Sequence, residues 1–162
     1  MGFPRMSVAS DDPLESRIKA AFIFNFIRFT QWPADSFASP GDPLVIGVVA
    51  SDAMVAEIQE AMKDKRVNDR PLQVQRFTAD NVGRCHVLFV AAAGGRAADI
   101  LKTGGSARLT IGDGDDFTDA GGVVRFFVED GKERFEINVA AAERAHLQIS
   151  GKLLKLARTI SK

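Results

Sequence analysis

Cys85, His86 and His146 are the only cysteine and histidines in the 162-residue chain, and so the only side chains whose ordinary chemistry suits nucleophilic or acid–base work near neutral pH. Cys85 and His86 are neighbours. In a strand, adjacent side chains point to opposite faces, so these two do not form a thiolate–imidazole dyad. A lone cysteine at a strand start serves as a small buried hydrophobe. It also leaves no intrachain disulfide and no cysteine-based zinc or iron–sulfur site. His146 precedes a short extended turn, where it is either a ligand-binding imidazole or a surface capping residue. With no base–nucleophile pair in sight, the expectation is a protein that is not an enzyme and needs no cofactor.

Three further stretches invite chemical readings. Asp113, Asp115, Asp116 and Asp119 suggest calcium. Counted from Asp113, an EF-hand loop would need glycine at the sixth position and glutamate at the twelfth, where Thr118 and Val124 stand, so a solvated loop and no metal are expected. "AAAGGRAAD" sets backbone N–H groups between a strand and a helix, but lacks the spacing of a dinucleotide fingerprint. "SGKLL" ends like a phosphate loop, yet has no upstream glycine in place and has Leu153 where a magnesium-binding hydroxyl belongs. The remaining polar pair is Arg28 and Trp32, four residues apart and within helical reach if the last turn extends that far. Either the guanidinium lies over the indole in a pocket, or the two shield the helix end.

These residues must be held by a single domain, for 162 residues with 46% hydrophobic composition bury one sizeable core. Lys and Arg total 21, as do Asp and Glu, so no net field draws the chain to nucleic acid. The opening "MGFPRMSVASDD" shows no basic segment followed by an apolar stretch, so no secretory signal is legible. Residues 1–12 are expected to be a disordered N-terminal segment and 13–162 the folded domain.

The first helix starts at Asp12 as N-cap with Pro13 behind it and runs to about Thr30. At 100° per residue, Leu14, Ile18, Ala21, Phe22, Phe26 and Phe29 form one apolar face; Ala20, Ile23, Phe24 and Ile27 form another. Charges at Lys19 and Arg28 bracket too short a run to span a bilayer. One face is therefore expected in the core and the second, Ile23, Phe24 and Ile27, at an interface with a partner or a second copy. Beyond it, "PLVIGVVA", "RPLQVQRF", "CHVLFVAA" and "ARLTIGD" are strands, the first followed by a helix capped at Ser51 or Asp52. Asp130-Gly131 turns a hairpin, Asn138 caps a short helix, "HLQI" is extended, and Ser150 starts a helix to about Ile160. The fold class is α/β, a single domain with a mixed β-sheet and helices packed on its faces.

"KAAFIFNFIRFTQWP", "CHVLFV", "LTIGDGDDFTDAGGVVRFFVEDGKERFEIN" and "AAAERAHLQISGKLLKLA", in that order over roughly residues 16 to 160, together resemble the YfiR family of exported bacterial regulators. The resemblance implies a periplasmic, non-enzymatic protein that binds the periplasmic sensory domain of an inner-membrane diguanylate cyclase and represses it. It also implies an outer-membrane lipoprotein able to sequester the repressor, and a readout in cyclic di-GMP and biofilm. Well-known members carry further cysteines, so with Cys85 alone an intramolecular redox bridge is excluded here. A homodimer is expected, and neither nucleic acid nor membrane insertion. The competing reading is a periplasmic small-ligand sensor acting on a histidine kinase or another membrane receptor, with Arg28, Trp32 and His146 lining its pocket.

Overall fold

The computed structural model describes residues 12–91, 96–103 and 107–162. Helix α1 (Pro13–Arg28) begins where capping chemistry dictates, with the Asp12 carboxylate accepting from the N–H groups of Leu14 and Glu15. Then follow β1 (Thr30–Gln31), β2 (Leu44–Val49), α2 (Asp52–Met62) capped by Ser51, β3 (Arg66–Val67) and β4 (Arg70–Arg76). After these come β5 (Val87–Val90), α3 (Ala97–Leu101), β6 (Leu109–Gly112), β7 (Val124–Glu129) and β8 (Lys132–Asn138). Last are α4 (Val139–Arg144), β9 (Gln148–Ile149), α5 (Gly151–Leu156) and β10 (Arg158–Ile160). The expected N-terminal segment and the "AAAGG" turn fall largely outside the described residues.

Eight strands form one mixed sheet in the order β10-β8-β7-β6-β5-β2-β4-β3. Strands β4, β2, β5, β6 and β7 are mutually parallel; β8 returns antiparallel to β7. The β7–β8 turn is the one the sequence announces, with Asp130 and Gly131 both at positive φ, as a type I′ hairpin requires. From β2 the chain steps outward to β4 and then returns to β5 on the other side of β2. Right-handed crossovers in opposite directions put their helices on opposite faces. Accordingly α1 and α2 lie together over Leu44, Ile46, Val48, Val87 and Phe89, while α3 packs with Leu88, Val90 and Phe117.

The two-faced first helix resolves against expectation. Ile23 and Ile27 are both 0% exposed, because α2 packs beside α1 and covers that flank. Phe22 and Phe26 meet Phe126 and Phe135 of the β7–β8 hairpin, with ring centroids 4.8 to 6.0 Å apart. The large apolar residues of α1 turned to solvent are Leu14 and Ile18, both placed by periodicity on the first face with Ala21, which is exposed as well. The expected partner face is therefore core at Ile23 and Ile27, and only Phe24 keeps some surface. The C-terminal helix also ends early: α5 stops at Leu156, and residues 158–160 pair in parallel with β8 as an edge strand.

The acidic segment is not wholly solvated either. Phe117 is buried flat against Gly112 and Gly122, where a Cβ would stand 2.1 to 2.4 Å from its ring atoms. That anchor pulls the loop onto the sheet. Asp115, Asp116 and Asp119 stay exposed, whereas Asp113 turns inward to Lys19.

Candidate functional site

Because α1 runs opposite to the parallel strands, its C-terminal end reaches the edge where those strands begin. There the chain leaves the helix through Thr30, whose hydroxyl donates to the Phe26 carbonyl at 2.7 Å, and enters the two-residue ladder of β1 with β9. The helix stops at Arg28, four residues short of Trp32, so the expected Arg28–Trp32 stack is absent. Arg28 instead lies over the rings of Phe29 and Phe24, at 5.2 and 5.8 Å.

Trp32 has a different partner, its Nε1–H donating to the His86 carbonyl at 3.1 Å. His86 organises this edge. Its Nδ1 accepts from the Val45 N–H at 2.9 Å, so Nε2 carries the proton and donates to the Ser36 carbonyl at 3.0 Å. The imidazole stacks on Phe37 at 4.3 Å, and Arg70 covers Phe37 at 3.6 Å. Burial, reinforced by Arg70 and Arg84 and only partly opposed by the Ser36 hydrogen bond, pushes the imidazole below its ordinary pKa. Held neutral and doubly bonded, His86 ties the loop after α1 to β2 and to the start of β5. Sequence reasoning set His86 aside with Cys85; its position before a buried strand carried no sign of a partner fifty residues away.

His146 owes its place to a helix ending. It follows α4 with φ of 61°, and the N–H groups of His146 and Leu147 return to the carbonyls of Glu143 and Ala142 at 3.0 Å each. This is a Schellman cap with histidine at the left-handed position where glycine is usual. The cap aims His146 into an open cleft of about 690 Å³ lined by Trp32, Asp35, Glu143 and Gln148. Arg28 lines an adjacent hollow of about 370 Å³ with Phe29, Ile149 and Ser150. Gln31 and Gln148, paired across the β1–β9 ladder, belong to both. A third cleft, about 720 Å³, runs on through Asp35 and Ala107 to Arg84, Cys85 and His86. Trp32 and His146 thus line one cleft, and Arg28 borders it without joining them. Burial holds the Cys85 thiol above its ordinary pKa, against the pull of Arg108.

This continuous, shallow surface lies at the amino ends of β2, β5 and β6. Among the described residues no group of three or more His, Cys, Asp or Glu is arranged to hold a metal, and no helix is long and apolar enough to cross a membrane. A surface of this kind suits recognition by contact. The family model described as YfiR/HmsC-like matches residues 16–158, from the first turns of α1 into β10. The chain belongs to the YfiR/HmsC-like family. Membership puts it among regulatory signalling proteins, and every element at the amino edge falls inside the matched span. No curated protein matches the chain.

Proposed function

We propose that this YfiR/HmsC-like protein is a periplasmic regulator that binds the sensory domain of an inner-membrane diguanylate cyclase and holds it inactive, so lowering cyclic di-GMP and biofilm formation. The family match over residues 16–158 carries the reading. Regulation of this type needs only that the protein bind the inactive state of its partner more tightly than the active one. The docking surface is assigned to the amino edge, around Trp32, His146 and Gln148, where aromatic and polar groups meet in open clefts. An outer-membrane lipoprotein would then act by competing for the regulator. Homodimerisation belongs to the same proposal, with Phe24 as the surface left from the interface expected in the sequence.

The test is titration calorimetry with the purified periplasmic domain of the membrane protein encoded beside this gene. His146→Glu and Gln148→Glu change exposed side chains, so they should leave the circular dichroism spectrum intact and weaken binding at least tenfold. Unaltered binding would remove the amino edge from the proposal, and absence of binding would remove the partner class.

A second reading rests on the shared Trp32–His146 cleft: a periplasmic small-molecule sensor acting on a histidine kinase or another receptor. It predicts that a metabolite raises the melting temperature of the wild type and not of His146→Ala.

A further inference from the structure

At the opposite edge, where the parallel strands end, the chain makes a second and different cavity. Strand β2 has neighbours reached by crossovers of opposite direction, β4 on one side and the β5–β6 pair on the other, so the loops leaving β2 and β5 diverge. Divergence at such a point opens a crevice outside the carboxyl ends of the strands. Here it is a cavity of about 220 Å³ lined by Val49, Ala50, Ser51 and Met54 on one side and by Phe89 and Ala91 on the other, with Lys19 and Asp113 as its charged groups.

Those two groups belong to a buried cluster. The Lys19 ammonium lies 3.0 Å from Asp113 Oδ2 and 2.9 Å from Glu15 Oε2, with its side chain 6% exposed and that of Asp113 11%. An ammonium has three N–H bonds. Two are used, and among the described residues no acceptor takes the third. Asp113 Oδ1 is buried and has no donor among them. The cavity therefore adjoins one unused donor and one unused acceptor, in a cluster where the single ammonium already serves two carboxylates. A carboxylate would add negative charge beside Glu15 and Asp113, and an ammonium would bring positive charge against Lys19 and leave its third N–H unpaired. A hydroxyl or primary amide both accepts and donates, and adds no charge.

We propose that this switch-point cavity binds a small uncharged molecule with an apolar, ring-sized body and one hydroxyl or amide, the polar group seated on Lys19 and Asp113 and the body between Met54 and Phe89. The size fits: a dry apolar cavity of about 150 Å³ accepts benzene. The site is separate from the amino-edge surface, and binding to it is measured without any partner protein.

Benzyl alcohol is the probe and toluene its control, the two differing by the hydroxyl. Titrated into the full chain at millimolar concentration, benzyl alcohol should move the amide resonances of Val49, Ala50, Ala91 and Asp113, and bind about tenfold more tightly than toluene, as expected for a hydrogen bond to a charged group. Ala91→Leu, and independently Ala50→Leu, should fill the cavity and abolish the shifts in a protein whose circular dichroism is unchanged. No shift with benzyl alcohol, equal affinity for toluene, or shifts that survive in a folded cavity-filling variant would each overturn the proposal.

Discussion

The two edges of the parallel sheet solve the same problem, closing the ends of β2, β5 and β6, by opposite means. At the carboxyl edge a cluster of Glu15, Asp113 and Glu133 is gathered around the one ammonium of Lys19, beside a small cavity. At the amino edge the tie between the loops is neutral, and charged groups such as Asp35, Arg84 and Glu143 line the open clefts. A neutral imidazole, a stacked phenyl ring and backbone carbonyls hold the loops, and the clefts stay broad and open. Buried ions hold position strongly but fail badly when one partner is lost. Neutral hydrogen bonds fail more gently and leave a surface free to meet another protein. The difference separates an edge built for internal ion pairing from one built for contact.

The contrast breaks most sharply at Lys19. Lys19→Met leaves three carboxyl groups facing one another in a buried site, and should cost about 3–5 kcal/mol in urea unfolding. A loss below about 1 kcal/mol would mean that the cluster is solvated in solution, as surface pairs are. At the amino edge, His86→Ala strands the Val45 N–H and the Ser36 carbonyl and removes the stack on Phe37. The expected loss is smaller, about 2 kcal/mol. Equal losses at the two residues would erase the distinction.

The edges should also titrate in opposite senses. Burial, opposed by the attraction of Lys19 and aided by the charges of Glu15 and Asp113 and a hydrogen bond with Glu15, raises the Glu133 carboxyl from 4.5 to about 7. A raised folded pKa gives stability that is whole below 4.5 and is lost as pH rises through about 7. His86 does the reverse: its depressed pKa gives stability present above 6.5 and lost as pH falls through the lower folded value. Urea midpoints between pH 4.5 and 8 should therefore lose their alkaline decline in Glu133→Gln and keep their acidic one. A decline unchanged in that variant would remove Glu133 as its source.

The smallest effect is expected at His146. Glycine suits its left-handed backbone, so His146→Gly should stabilise the chain by about 0.5–1 kcal/mol. If the same variant weakens partner binding, the strain is retained for contact at the amino edge; if binding is unaffected, His146 is only a cap.

Local rules carried much of the architecture. Asp12, Ser51, Asn138 and Ser150 cap the helices they were expected to cap, and Asp130-Gly131 makes its hairpin, because caps and tight turns are settled within a few residues. Apolar runs placed β2 and β5, and the combined pattern of blocks pointed to the family. What periodicity left open on α1 was which apolar flank meets the sheet and which meets solvent. Both were hydrophobic enough. The choice fell to α2 and the β7–β8 hairpin, which pack on Ile23, Ile27 and Phe26 and leave Leu14 and Ile18 outside. Likewise Lys19 reads as a surface charge until Asp113, ninety-four residues on, is brought within 3.0 Å of it. Residues 158–160 read as helix until β8 offers a free edge. Hydrogen bonds along the chain are fixed by local spacing, so the sequence alone determined the helix starts and the hairpin turn. Burial and ion pairing join residues distant in sequence, so only the tertiary structure decided which face is core, which charge is buried and which edge is open.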